Sequence, residues 1–194
     1  MDLYKEALQE FKTFFAKALQ SDIKEPTAMT LATVGEKGQP SARLVLLKDI
    51  DDQGFVFYTN MKSQKGMDLK KNPQAALCFW WPSLDSQIRV EGTTEAVAEK
   101  EADKYWATRP RESQLGAWAS QQSEVLSERS ILLNRYEELE KKYGNRPIPR
   151  PPYWTGYRVI PHKIEFWYAK PHRLHERIVY QKESSGWKKH LLYP

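Results

Sequence analysis

Residues 27–59, TAMTLATVGEKGQPSARLVLLKDIDDQGFVFYT, decide the fold. Three runs with β signals, Thr27 to Val34, Pro40 to Lys48 and Phe55 to Thr59, are separated only by GEKGQ and by the turn Asp49 to Gly54. Runs of this length joined by tight, glycine-bearing turns predict neighbouring antiparallel strands.

Upstream, Leu3, Ala7, Leu8, Phe11, Phe14, Phe15 and Ala18 recur at helical spacing, predicting an amphipathic helix over 3–20 within a leading segment, 1–25, that Pro26 closes. Downstream, Ser63 to Asn72 predicts a short helix with a serine N-cap. Strands are expected at Ala75 to Trp81 and Gln87 to Val97. A helical insertion over 99–144 follows. It holds a helix Glu99 to Thr108 stopped by Pro110, a second from near Glu112, and a third, Glu124 to Tyr143, ending at Gly144. NRPIPRPP cannot continue a helix or join the centre of a sheet. Strands resume at Trp154 to Ile160, Lys163 to Tyr168, Arg177 to Gln181 and Trp187 to Leu192, the last two within a C-terminal segment 172–194. With no repeat and no long linker, residues 1–194 read as one mainly β (α+β) domain, an antiparallel sheet closed as a barrel with peripheral helices. Helices do not alternate with strands, which argues against a doubly wound α/β fold.

Composition narrows the chemistry. A single cysteine, Cys78, allows no disulfide within the chain and suits a reducing cytoplasm. The longest apolar runs are too short to span a bilayer, and the acidic start lacks the features of a signal peptide. The net charge of +5, from 30 Lys plus Arg against 25 Asp plus Glu, points to anionic partners or to a basic surface kept for solubility. The cations are dispersed, which suits small phosphorylated ligands better than nucleic acid. Neither a GxGxxG after a strand, nor a P-loop, nor a GxSxG elbow is present, and His162, His172, His175 and His190 lack metal-site spacing. An enzyme built from this chain would therefore use an organic cofactor and no metal.

Four segments carry candidate chemistry. In Arg43-Leu-Val-Leu-Leu-Lys48 the two cations should face opposite ways along a strand unless a bulge intervenes; alone, this reads first as a core strand with solvated ends. In the strand-to-helix passage Tyr58 to Lys65, Lys62 and Lys65 sit at a helix N-terminus, where the dipole disfavours cations; either an anion relieves the conflict or two exposed lysines tolerate it. Tyr105 and Arg109 share a helix face, and Pro110 can bring Ser113 beside them as a phosphate cup, or simply end the helix. In His172 to Arg177, an extended chain would put Arg173, His175 and Arg177 on one face, as a ligand wall or a charged edge strand. Trp167 offers a flat surface to an aromatic cofactor, or fills the core.

Taken in order, RLVLLK, FYTN, RPRESQLGAWASQQS, IEFW and HRLHER resemble the pyridoxine/pyridoxamine 5′-phosphate oxidase family over nearly the whole chain. The resemblance implies a split antiparallel β-barrel of FMN-binding type and a homodimer with FMN at the interface. It implies oxidation of pyridoxamine or pyridoxine 5′-phosphate to pyridoxal 5′-phosphate, with oxygen reduced to hydrogen peroxide. It assigns Arg43, Lys65 and Ser123 to the FMN phosphate. Gln64 also falls toward that phosphate, Val45, Leu46, Lys48, Tyr58, Thr59, Gln87 and Gln122 fall elsewhere around FMN, and Trp167 and Arg177 are supplied by the other subunit. Lys48, Tyr105, Arg109 and Ser113 match the substrate-phosphate cup, and Arg173 and His175 match catalytic positions over the substrate ring. Gln64 stands where many members carry an arginine, Leu191 where an arginine is common, and the family's basic N-terminal extension is not seen ahead of the first helix. Two other readings stand beside this one: a flavin oxidase of the same fold acting on a phenazine precursor, and a non-catalytic protein binding FMN or pyridoxal phosphate.

Overall fold

The computed structural model describes residues 2–194. Helix α1 (Leu3–Leu19) precedes β1 (Ala28–Val34), β2 (Pro40–Leu46), β3 (Asp49–Asp51) and β4 (Gly54–Asn60). After α2 (Gln64–Lys71) come β5 (Gln74–Trp81), β6 (Ser86–Ala96), α3 (Glu99–Thr108), α4 (Arg111–Ala119) and α5 (Arg129–Tyr143). The chain closes with β7 (Trp154–Tyr168), β8 (Glu176–Glu183) and β9 (Gly186–Leu192). All strand pairs are antiparallel, in the order β2-β1-β5-β6-β7-β4-β3, with β8 on β7 and β9 on β8. This is the expected mainly β architecture with helices around a curled sheet.

The apolar periodicity of α1 sets its place. Ala7, Leu8, Phe11 and Ala18 are buried, and Phe11 meets Phe55 and Phe79 edge-on at 4.8 and 5.0 Å. Burying a phenylalanine stabilises by about 1.5–3 kcal/mol before packing is counted. Polar groups on the adjoining face fix the docking. The Tyr180 hydroxyl lies 2.9 Å from both Glu6 Oε1 and Glu10 Oε2, Tyr168 donates to Glu10 at 2.7 Å, and Lys189 pairs with Glu6 at 2.7 Å.

Four local expectations need correction. Asp49 to Gly54 is not all turn: Asp49–Asp51 forms β3, and only the tip turns, with Asp51 Oδ1 accepting from the Gln53 and Gly54 backbone N–H groups at 2.9 and 3.0 Å. The expected pair of strands around Pro161 is one strand, β7. Gly92 lies opposite Pro161 and Glu91 opposite Lys163, leaving His162 as an extra residue that absorbs the missing proline N–H. Glycine is required there, since a Cβ on Gly92 would lie 2.3 Å from the Ile160 carbonyl. The third insertion helix starts at Arg129, not Glu124, because Glu128 is extended, at φ −144° and ψ 139°, outside the helical region. Finally, 171–173 is a 3₁₀ turn with His172 and Arg173 at φ 59° and 62°, so Arg173, His175 and Arg177 do not share one strand face.

The proline-rich stretch straps α3 to α4. Prolines leave carbonyls without matching N–H groups, and donor-only side chains take them. Trp106 and Trp118 donate their indole N–H groups to Ile148 and Pro149 carbonyls, each at 2.8 Å, and Arg111 donates to the Arg146 carbonyl at 3.0 Å. Arg150 bonds Asp103 at 2.6 Å and the Trp154 carbonyl at 2.7 Å. Behind α3, the 7% exposed Arg158 pairs with Asp51 at 2.5 Å and with Glu101 at 3.3 Å.

Candidate active site

A cavity of about 820 Å³ opens between β2, β4, α2 and the α3–α4 insertion. Arg43, Val45 and Leu46 reach it from β2, Lys48 from the link after β2, and Tyr58 and Thr59 from β4. Gln64 and Lys65 enter from α2, Tyr105, Arg109 and Ser113 from the insertion, and Gln122 and Ser123 from the loop after α4. Arg43 and Lys48 therefore meet the same cavity, against the alternation expected of a continuous strand. Strand β2 ends at Leu46, and the chain crosses so that the Lys48 N–H donates to the Val56 carbonyl at 2.8 Å.

Two cation groups line this space, and among the described residues no carboxylate does. On the α2 side, Ser63 caps the helix, its hydroxyl accepting from the Gly66 N–H at 3.4 Å. Ser123 Oγ accepts from the Gln64 N–H at 3.1 Å, and Lys65 Nζ reaches Gln122 Oε1 at 3.2 Å. Burial, then the neighbouring Arg43, holds the Lys65 ammonium below its usual value. Arg43 is lowered by burial too, opposed by Asp68, and it donates to Thr33 Oγ1 at 2.7 Å. Lys62, expected at the same helix end, is not part of the lining; its ammonium lies 5.2 Å from the centre of the Tyr153 ring. Gln64 turns its amide away to Asp68 Oδ1 at 2.8 Å.

On the insertion side, Tyr105 stacks on Tyr58 at 4.0 Å, and Trp154 stacks on Tyr58 at 5.1 Å. Burial pushes the Tyr58 hydroxyl up to about 12, with Glu101 adding to the shift. Burial also depresses the Arg109 guanidinium, and its buried Nη1 has no hydrogen-bond partner. An orphaned, desolvated guanidinium nitrogen beside Tyr105 and Ser113 suits an anion bound in the cavity.

Gln87, Trp167, Arg173, His175 and Arg177 do not line the cavity. Strand register places Trp80, Gln87, Trp167 and Arg177 side by side across β5, β6, β7 and β8. Gln87 thus groups with the residues expected from the other subunit, not with Tyr58. Trp80 is 52% exposed and meets Trp167 edge-on at 6.2 Å, while His175 packs on Trp167 at 4.5 Å. Arg177 is held by buried Glu165 at 2.7 Å, which raises its pKa. Sequence reasoning missed Trp80 and Trp154, since an aromatic in a strand looks like core whichever face it takes.

Residues 15–143 match the family model described as pyridoxamine 5′-phosphate oxidase, and residues 154–194 match that of the pyridoxine 5′-phosphate oxidase C-terminal dimerisation region. The chain belongs to the pyridoxamine 5′-phosphate oxidase family. Among relatives, the pyridoxine/pyridoxamine 5′-phosphate oxidase of Myxococcus xanthus (strain DK1622) is 52% identical over 96% of this chain and 91% of its own. That of Acaryochloris marina (strain MBIC 11017) is 54% identical over 92% of this chain and 81% of its own. The crystal structure of PhzG from Burkholderia lata 383, in complex with tetrahydrophenazine-1-carboxylic acid, superposes with a TM-score of 0.91 at 34% identity, covering 96% of this chain and 91% of that one. The split-barrel fold of the family is thus the fold of this chain. Both matched regions line the cavity: the first supplies its cations, the second Trp154.

Proposed function

We propose that this chain is an FMN-dependent oxidase of pyridoxamine and pyridoxine 5′-phosphates, working as a homodimer in the cytoplasm. The observation that carries the reading is the cavity itself: two cation groups, no lining carboxylate, and an orphaned Arg109 Nη1. Two phosphate esters, one on the cofactor and one on the substrate, match two such groups. Identities above 50% to relatives named for this activity support the reaction class.

Arg43, Lys65, Ser123 and the first turn of α2 would hold the FMN phosphate, where the helix dipole and two cations favour an anion. Val45, Leu46, Lys48, Tyr58, Thr59, Gln64 and Gln122 would flank the rest of the cofactor, and Gln87, Trp167 and Arg177 would reach it from the partner's row. FMN held there would supply the redox chemistry, a two-electron oxidation at the substrate's 4′ carbon with oxygen as the final acceptor, reduced to hydrogen peroxide. Lys48, Tyr105, Arg109 and Ser113 hold the substrate phosphate and so orient the 4′ carbon. Arg173 and His175, outside this chain's cavity and beside Trp167, would reach the substrate ring from the partner's side. His175 Nδ1 accepts from the Lys170 N–H at 3.2 Å, which leaves the proton of the neutral ring on Nε2. His175 thereby offers a donor, suited to holding a substrate heteroatom.

The phenazine-type alternative rests on the PhzG likeness, but a substrate without phosphate leaves Arg109 unpaired. Anaerobic addition of pyridoxamine 5′-phosphate to the purified yellow protein tests the proposal. Bleaching of the flavin bands is expected; flavin that stays oxidised with this substrate would overturn it.

A further inference from the structure

Arg109 is held in an unusual way for a buried cation. Among the described residues it has no carboxylate partner, and its Nη1 is buried without any acceptor. What surrounds it instead is indole. The guanidinium carbon lies 4.8 Å from the centre of the Trp154 ring and 5.1 Å from that of Trp106. Trp154 is 6% exposed and is itself fixed on several sides. It runs nearly parallel to Tyr58 and Tyr105, at interplanar angles of 10° and 5°, and meets Trp106 edge-on at 4.9 Å. Its carbonyl accepts from Arg150, which also grips Asp103 of α3.

Aromatic rings attract a guanidinium through their quadrupole without accepting its N–H groups as a carboxylate would. A carboxylate at the same place would neutralise Arg109 and compete with any incoming anion. We infer that Trp154 is a positioning and specificity-determining residue for the phosphate end of the substrate. It holds Arg109 charged, desolvated and unpaired, so that the guanidinium's free donors await a phosphate. This rests on the reading that Arg109 belongs to the substrate-phosphate cup.

The test uses FMN-loaded protein and a double-mutant cycle. Trp154→Leu should raise KM for pyridoxamine 5′-phosphate about tenfold, equivalent to 1.4 kcal/mol, with kcat changed far less. The inhibition constant of inorganic phosphate should weaken by the same factor, while the FMN dissociation constant stays near wild type. Trp154→Phe, which keeps a ring face, should restore most of the loss. In an Arg109→Ala background, Trp154→Leu should add nothing, because the group it acts through is gone. If Trp154→Leu does not fold, Trp154→Phe carries the same test, with a smaller rise that vanishes without Arg109. A rise in KM that persists undiminished in the Arg109→Ala background would overturn the inference alone. Arg109→Ala with unchanged KM and unchanged phosphate inhibition would overturn the cup, and the inference with it.

Discussion

Replacing Lys65 by methionine should push two measurements in opposite directions. In the protein without cofactor, Lys65 is half-buried, lies close to Arg43, and has only neutral partners, Ser63 Oγ and Gln122 Oε1, both at 3.2 Å. Burial and like charge both disfavour its ammonium there. Lys65→Met keeps the chain length and removes that cost, so the Tm of the apoprotein should hold or rise. Cofactor binding should suffer instead. A hydrogen bond to a charged group contributes about 1.5–3 kcal/mol, which corresponds to roughly a 10- to 150-fold weaker FMN dissociation constant. Quenching of flavin fluorescence on titration into apoprotein gives the constant, and a thermal melt of the same sample gives the stability. A fall in apoprotein Tm combined with unchanged FMN affinity would refute the argument, because Lys65 would then be a structural lysine.

Arg173→Ala should lower kcat by up to about 100-fold through loss of substrate placement, while flavin titration shows FMN still bound; unchanged turnover would remove Arg173 from the chemistry. Phe11→Ala should cost about 3–5 kcal/mol, because Phe11 is fully buried between Phe55 and Phe79, and urea unfolding should show a lower midpoint at similar slope. The Glu6 carboxyl is held below its usual value by Lys189 and Tyr180, so its contribution to docking α1 is present above about pH 4.3 and lost as pH falls through the lower folded value. Glu6→Gln should therefore weaken docking at neutral pH and flatten the acid dependence of fluorescence from Trp187, which stacks on Tyr4 of α1 at 5.0 Å.

The parts of this fold that were legible in the sequence are those with local causes. Alternation and turn residues mark β1, β2 and β4, Ser63 announces its helix, and Pro110 ends α3 where expected. The parts that were not legible depend on something distant. Nothing at Pro161 says that β6 will meet it with Gly92 and let β7 run on. Glu128 is extended and Arg173 adopts positive φ without either being glycine or proline, so no residue-type signal marks where helix α5 is delayed or where the 171–173 turn departs from a strand. Asp68 reads as an ordinary helix carboxylate, yet it is buried and accepts from Thr33 at 2.7 Å, 35 positions away in the chain. The cavity cations were legible as residue types; their shared face was not, because the crossing after β2 reverses the alternation between Arg43 and Lys48.

Strand β7 also bears on why one chain would be insufficient. Its first residue, Trp154, lines the cavity, and Trp167, 13 positions later, sits in the aromatic row. At about 3.3 Å per residue a straight strand would separate them by roughly 40 Å, and its bulge shortens this only modestly. A single mononucleotide cannot touch both ends of such a strand. If FMN contacts the cavity and the Trp167 row together, the row must come from a second copy, placed by the same C-terminal region that matches a dimerisation model. Two-fold symmetry then gives two equivalent sites, each with cations from one subunit and aromatic cover from the other. Loss of the dimer should on this argument weaken FMN binding even though every phosphate-binding cation remains in place.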